Sequence, residues 1–255
     1  MTSLHWTEIV LFKTWSELKT ECGRTLGGAL WWFVDPLLSI LIYYLAFGLI
    51  LRQGGGDFVP FLCVGIIFWR WFQGSVTRGA ASIISEKPLM AKVYMPKLLF
   101  PVIGMLADTF KFAIMLLVLL LFLWAAGHPP TSAYWALPPL LLLQLGFNFF
   151  AAGLFAALVP FMPDLRNMLN HGLHLLFFLS GIFFSVDSIT SPLLRRVILL
   201  NPMAGLLSAY RQVLLQNQLP DAPYLLAIAA ATALGILIVV LLLLRFDRVY
   251  PKIIL

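Results

Sequence analysis

Asp108 and Lys111 lie three residues apart inside an otherwise apolar run. On a helix that spacing sets both side chains on one face, where they can pair. An ionisable group deep in a bilayer costs about 2.5–3.5 kcal/mol on insertion scales, so it marks either an ion or proton pathway or a pair neutralised against neighbouring helices. The neutralised pair is the preferred reading. Arg70 is a further charge, set among Phe68, Trp69, Trp71 and Phe72. His171 and His174 share the spacing of some metal pairs. No cysteine or carboxylate is near them in sequence, so no metal site is expected.

Several other chemistries are missing from the sequence. There is no G-x-x-x-x-G-K-[ST] phosphate loop, no H-E-x-x-H and no G-x-S-x-G. No pair of nearby carboxylates suits sugar transfer or hydrolysis. The expectation is a chain that is not an enzyme and binds no ATP of its own.

The elements that position these charges are membrane spans. The 255 residues are 61% hydrophobic and 11% charged, with a mean hydropathy of +0.95. A soluble domain averages roughly 25% charged residues, so so much apolar surface needs a bilayer. The net charge of +6 suits anionic headgroups and needs no nucleic acid. The pattern predicts an all-α integral membrane protein with six spans at 30–51, 58–75, 102–126, 135–161, 168–184 and 224–244. Residues 4–22 are too polar to span. Leu11, Trp15, Leu18 and Cys22 fall on one stripe, and Lys13, Glu17 and Glu21 face the other way, which predicts an amphipathic helix in the membrane surface. Cys22 and Cys63 belong near opposite faces and are not expected to pair. Nothing at the N-terminus reads as a cleavable signal peptide.

The loop 85–97 carries Glu86, Lys87, Lys92 and Lys97 between two apolar runs and must sit in water. Leu89 to Tyr94 lies between Pro88 and Pro96. Pro88 suits a first helical turn and Pro96 ends what precedes it. A short bounded helix there is a shape that another protein can grip. The alternative is a basic loop that only sets topology. With the N-terminus inside, the inner segments collect eleven Lys and Arg and the outer ones four, namely Arg52, Arg195, Arg196 and Arg211. That asymmetry places both termini in the cytoplasm. The outer segment 185–223 holds two leucine-rich stretches broken at Asn201-Pro202, which read as short helices dipping into or lying on the outer leaflet.

These phrases together resemble a known family, the membrane subunits of ABC-2-type polysaccharide exporters of O-antigen, capsule and teichoic acid. The resemblance runs through almost the whole chain. It rests on Leu30-Trp31 with Asp35-Pro36-Leu37, on Gly65 with Trp69, Trp71 and Phe72, and on LMAKVYMPKLLFP at 89–101. Asp164-Leu165-Arg166, FFLSGIFFS at 177–185, and Asn201-Pro202 with Tyr210-Arg211 complete it. The chain departs at Ser180-Gly181-Ile182, where the family often has Ser-Pro-Ile, and in the loose C-terminal phrase Phe246-Asp247. The resemblance implies a homodimer with two ATPase subunits that bind ATP and magnesium, in a bacterial inner membrane. It implies that Leu89, Met90, Lys92, Val93, Tyr94, Met95 and Pro96 dock on the ATPase, with 4–22 as a second interface element. It implies a cargo polysaccharide on an undecaprenyl diphosphate anchor. Trp32, Tyr43, Trp69, Trp71, Phe72, Phe177, Phe183 and Phe184 would line its conduit, since sugars stack their C–H faces on rings. Arg24 or another inner basic residue would meet the diphosphate. Residues 185–223, with Asn201, Pro202, Tyr210 and Arg211, would form an outer gate. The alternatives are an ion-driven secondary transporter, suggested by Arg70, Asp108 and Lys111, a polyprenyl transferase, and an ABC-2 exporter of a smaller lipid or drug.

Overall fold

The computed structural model describes residues 3–23, 27–50 and 57–254, and among them every regular element is a helix. The helices are α1 (Ser3–Gly23), α2 (Trp31–Tyr43, continued by a wider-wound stretch Tyr44–Ile50), α3 (Phe58–Ser85), α4 (Lys87–Met90), α5 (Leu99–Ala125) and α6 (Leu137–Leu158). They continue as α7 (Leu165–Leu179), α8 (Pro192–Leu199), α9 (Pro202–Leu214), α10 (Ala222–Arg245) and α11 (Tyr250–Ile254). Arg24 and most of the turn expected at 52–57 lie outside the described residues.

Five helices are long and apolar enough to cross a membrane: α2 with its continuation, α3, α5, α6 and α10. The fifth predicted span, 168–184, is shorter than expected. α7 has 15 residues and stops where Gly181 takes φ +71°, a backbone that glycine adopts without strain. At 1.5 Å per residue it reaches about 22 Å, less than the ~30 Å of a hydrocarbon core. Its two ends nevertheless lie at opposite ends of the bundle. At one end of the bundle Phe161, before α7, stacks edge-on with Phe246 and Tyr250 of the C-terminal tail. At the other end Arg211 binds the carbonyls of Gly181 and Ile182, after α7, and that of Phe61 near the start of α3. The N-terminal helix, the 86–97 loop and the C-terminal tail therefore share one end.

α3 is the central helix. It packs on α2, α5, α6, α7 and α9, and 72% of its span is buried against 11% for α2. Its predicted end at Ser75 is corrected by ten residues, because Val76, Gly79, Ala80, Ser82 and Ile83 are buried. A Cβ at Gly79 would come within 2.5 Å of the Ala152 Cβ, so this glycine lets α3 and α6 touch backbone to backbone.

α1 also differs from the sequence reading. Lys13 pairs with Glu86, and Glu21 with Arg78. Eight residues separate the two contacts on each side and the order is reversed, so α1 runs antiparallel to the end of α3 while it packs on α5. Its polar side faces the protein, because the charges that it meets are there. Leu11, Phe12 and Trp15 point outward, while Val10 and Leu18 are buried.

Residues 185–223 contain the expected pair of short helices, bent by 98° at Asn201-Pro202. Ser191 caps α8 and Asn201 caps α9 through their side-chain oxygens, and each helix starts with proline. The two are unlike. α9 is buried through Met203–Leu207 and Ala209–Arg211, whereas α8 exposes Leu193, Leu194 and Val197.

Candidate functional site

The sequence singles out the loop after α3, and its helix is shorter than predicted. α4 is one turn at Lys87–Met90 with Pro88 in it, and 91–96 is turn, bend and irregular chain. The carbonyls of Glu86, Lys87 and Leu89 accept the bonds that close this turn. Met90 and Met95 are buried and anchor the loop; Lys92, Val93 and Tyr94 are exposed, while Leu89 and Pro96 are half-buried. Beside it runs an apolar groove of about 440 Å³, walled by Trp6, Ile9 and Phe12 of α1 and by Leu89, Val93 and Tyr94.

What holds the loop was not legible beforehand. Asp247, in the turn after α10, is 8% exposed. Its two oxygens accept from the Tyr94 hydroxyl at 2.7 Å and from the Lys97 amide at 2.8 Å. The hydrogen bond to Asp247 raises the Tyr94 phenol pKa. Lys97 is buried, which lowers its ammonium pKa, and its Nζ donates to the Met95 carbonyl at 2.9 Å. Tyr250 is fully buried and donates to the Ala157 carbonyl at 3.3 Å; burial pushes its phenol up to about 12. The C-terminal tail thus fastens the loop to the end of α6.

Above the loop lies a charge network. Lys111 Nζ is 2.9 Å from Asp108 Oδ1, as the three-residue spacing predicts. Two residues that sequence reasoning missed complete it. Arg78 Nε donates to Asp108 Oδ2 at 3.1 Å, and Glu21 bridges Lys111 at 3.1 Å and Arg78 at 3.3 Å. Two acids thus face two bases, joining α1, α3 and α5. Burial pushes the Glu21 carboxyl up, but Lys111 and Arg78 more than offset this and hold it below the usual range. With Asp108 held from both sides, the network closes α1 onto the spans and does not offer a free relay for protons.

The predicted conduit aromatics separate into groups. Tyr43 meets Phe177 and Phe183 at centroid distances of 5.4 and 4.9 Å, and Trp69 meets Phe177 at 5.8 Å. Phe47 and Phe178 join this cluster without a sequence signal beyond their type. Trp32 and Trp71 line a cavity of about 240 Å³ with Arg70 and Lys111. Trp71 stacks on Phe112 at 4.0 Å and donates to Thr109. Phe72 turns inward against Phe147. Phe184 stands apart, packed beside Val186, Ile198 and Ala204.

The four residues expected to form a gate act as fasteners in the fold. Asn201 Nδ2 donates to Ser180 Oγ at 2.7 Å, while its Oδ1 accepts from the Met203 amide. Pro202 opens α9. Tyr210 stacks on Phe68 at 3.7 Å and donates to the Leu140 carbonyl. Arg211, placed in an outer loop by the charge tally, is instead 5% exposed and binds three carbonyls. α9 is thus fixed in the bundle, whereas α8 joins it through the bend at Asn201-Pro202.

Known proteins agree with this architecture. The ABC-2 type transporter family model matches residues 10–215. The O-antigen export system permease protein RfbA of Myxococcus xanthus is 32% identical over 217 residues, 85% of this chain and 84% of that protein. A protein of the same name from Klebsiella pneumoniae is 26% identical over 213 residues, 83% and 82% of the two chains. Taken with the all-helical spans and the loop between α3 and α5, these matches make the chain a member of the ABC-2 type transporter membrane family.

Proposed function

We propose that the chain is the permease subunit of an O-antigen export system, moving a polysaccharide across the bacterial inner membrane. The observation that carries this is the exposed Lys92-Val93-Tyr94 tip, clamped by Asp247 beside an apolar groove, on a chain without a nucleotide-binding motif. A rigid, shaped protrusion suits a partner that does the hydrolysis. Two copies of the chain would work with two ABC ATPase subunits, which bind ATP and magnesium and seat residues 89–96 in a cleft. The shared end of α1, the loop and the tail is the cytoplasmic one. The cargo is a polymer linked to undecaprenyl diphosphate, and the Tyr43, Trp69, Phe177 and Phe183 rings offer its sugars stacking surfaces. α8 is the mobile part of the outer gate.

Complementation of a deletion strain tests this. The wild-type gene restores surface O-antigen. Tyr94→Ala and Lys92→Glu insert normally and bind the ATPase, but uncouple ATP hydrolysis from export. O-antigen export that persists in the deletion strain, or wild-type export in both variants, would overturn the proposal.

A further inference from the structure

α1 encloses a cavity of about 720 Å³ against the end of α3 and the start of α5. That volume lies within the roughly 300–1,000 Å³ of small-molecule sites. Its wall carries the acids Glu17, Glu21 and Glu86 and the bases Lys13 and Arg78. Glu86 pairs with Lys13, and Glu21 with Arg78 and Lys111. Glu17 is the acid left over. Among the described residues its carboxylate makes no ion pair or hydrogen bond. Burial raises its pKa and Glu86 and Asp108 add to the rise, although Arg78 and Lys13 offset it in part.

The hydroxyls on the same wall are spent in one direction. Ser82, which is buried, donates to the Gly79 carbonyl at 2.7 Å. Ser85 donates to the Ser82 carbonyl at 3.0 Å, and Thr20 to the Ser16 carbonyl at 2.7 Å. A hydroxyl has one proton and two lone pairs. With each proton given to main chain, these three groups can only accept from whatever fills the cavity. A leftover carboxylate among such acceptors suits a cation with several N–H donors. Lys13, one turn before Glu17 and about 6 Å along α1, keeps two ammonium protons beyond the one that it gives to Glu86. Phe12 walls the cavity and is also exposed on the side of α1 that carries Leu11 and Trp15. Such an apolar side belongs in the boundary between headgroups and acyl chains, so the mouth beside Phe12 opens to lipid.

We propose that this cavity binds the headgroup of an aminophospholipid, with its primary ammonium on Glu17 and the lone pairs of Ser82, Ser85 and Thr20, and its phosphate on Lys13. A primary ammonium brings three donors, and a trimethylammonium brings none. A lipid without an amine leaves Glu17 unpaired. The cavity therefore selects phosphatidylethanolamine over phosphatidylcholine and phosphatidylglycerol. The bound lipid fastens α1 to α3 and α5, and it does so whatever cargo the protein moves.

The test uses the full-length chain in nanodiscs of phosphatidylcholine and phosphatidylglycerol. They are doped with a phosphatidylethanolamine that carries a photoreactive diazirine near the top of one acyl chain. Illumination should label α1 and the start of α5. Unlabelled phosphatidylethanolamine should compete, and the other two lipids should not. Glu17→Gln should weaken binding about tenfold, the loss of one charge-assisted contact. Glu8→Gln, on the same helix but outside the cavity, should not. Glu17 has no internal bond to lose, so Glu17→Gln should melt like the wild type in nanodiscs without the amine lipid. Equal labelling of Glu17→Gln and the wild type, or equal competition by phosphatidylcholine, overturns the proposal. Phosphoethanolamine in solution that competes as strongly as the lipid would assign the site to a free amine, and labelling lost when the ABC ATPase subunit binds would assign it to that protein. Either result overturns the lipid assignment.

Discussion

Removing the Asp247 carboxylate should release the 86–97 loop without unfolding the spans. Its two oxygens receive the Tyr94 hydroxyl and the Lys97 amide. A hydrogen bond to a charged group contributes about 1.5–3 kcal/mol. Tyr94 is 64% exposed, so its bond belongs at or below the low end of that range. Lys97 is buried, so its amide carries most of the penalty when left unpaired. Because the two losses are not additive, Asp247→Ala should cost about 3 kcal/mol locally. Asp247→Asn keeps one acceptor oxygen and should cost about half as much, and Tyr94→Phe about 1 kcal/mol. The readout is hydrogen exchange at the Lys97 amide in nanodiscs, where 3 kcal/mol corresponds to about 10²-fold faster exchange. Amides of α3 and α6 should keep their protection. Lys97 protection unchanged in Asp247→Ala, with the spans still protected, would refute the clamp.

Gly79→Ala should lower thermal stability by about 1–3 kcal/mol, because its Cβ would overlap Ala152, while Gly172→Ala, which meets open space, should not; equal melting temperatures for the two would show that the α3–α6 contact is looser than described. Asn148 is fully buried with neither side-chain polar atom partnered, so Asn148→Leu should be neutral or stabilising by up to about 1–3 kcal/mol in a melting assay; a clear loss of stability would mean that the amide has a partner in the assembly. Impermeant thiol reagents added from the periplasm should label a cysteine at Ser188 and miss one at Lys92, and the reverse pattern would invert the topology.

Composition and hydropathy alone determined that this chain is a helical membrane protein, because so few charges cannot solvate it. They also located four of the long apolar helices, α2, α5, α6 and α10, to within a few residues at most ends, since a bilayer imposes a minimum length on any apolar run. The Asp108–Lys111 pair, Pro88 in the first turn of α4 and the break at Asn201-Pro202 were legible because local spacing decides them. The tertiary structure alone decided what lies across from each group. Asp247 reaches Lys97 from 150 residues away, Arg78 reaches Asp108, and Glu21 reaches Arg78 and Lys111, all from separate helices; no periodicity encodes such distances. For the same reason the polar side of α1 turned inward and Ser75 proved not to end α3. Arg211 reads as a loop cation by type, yet it closes the turn after α7, because three main-chain carbonyls converge where only the folded chain brings them together.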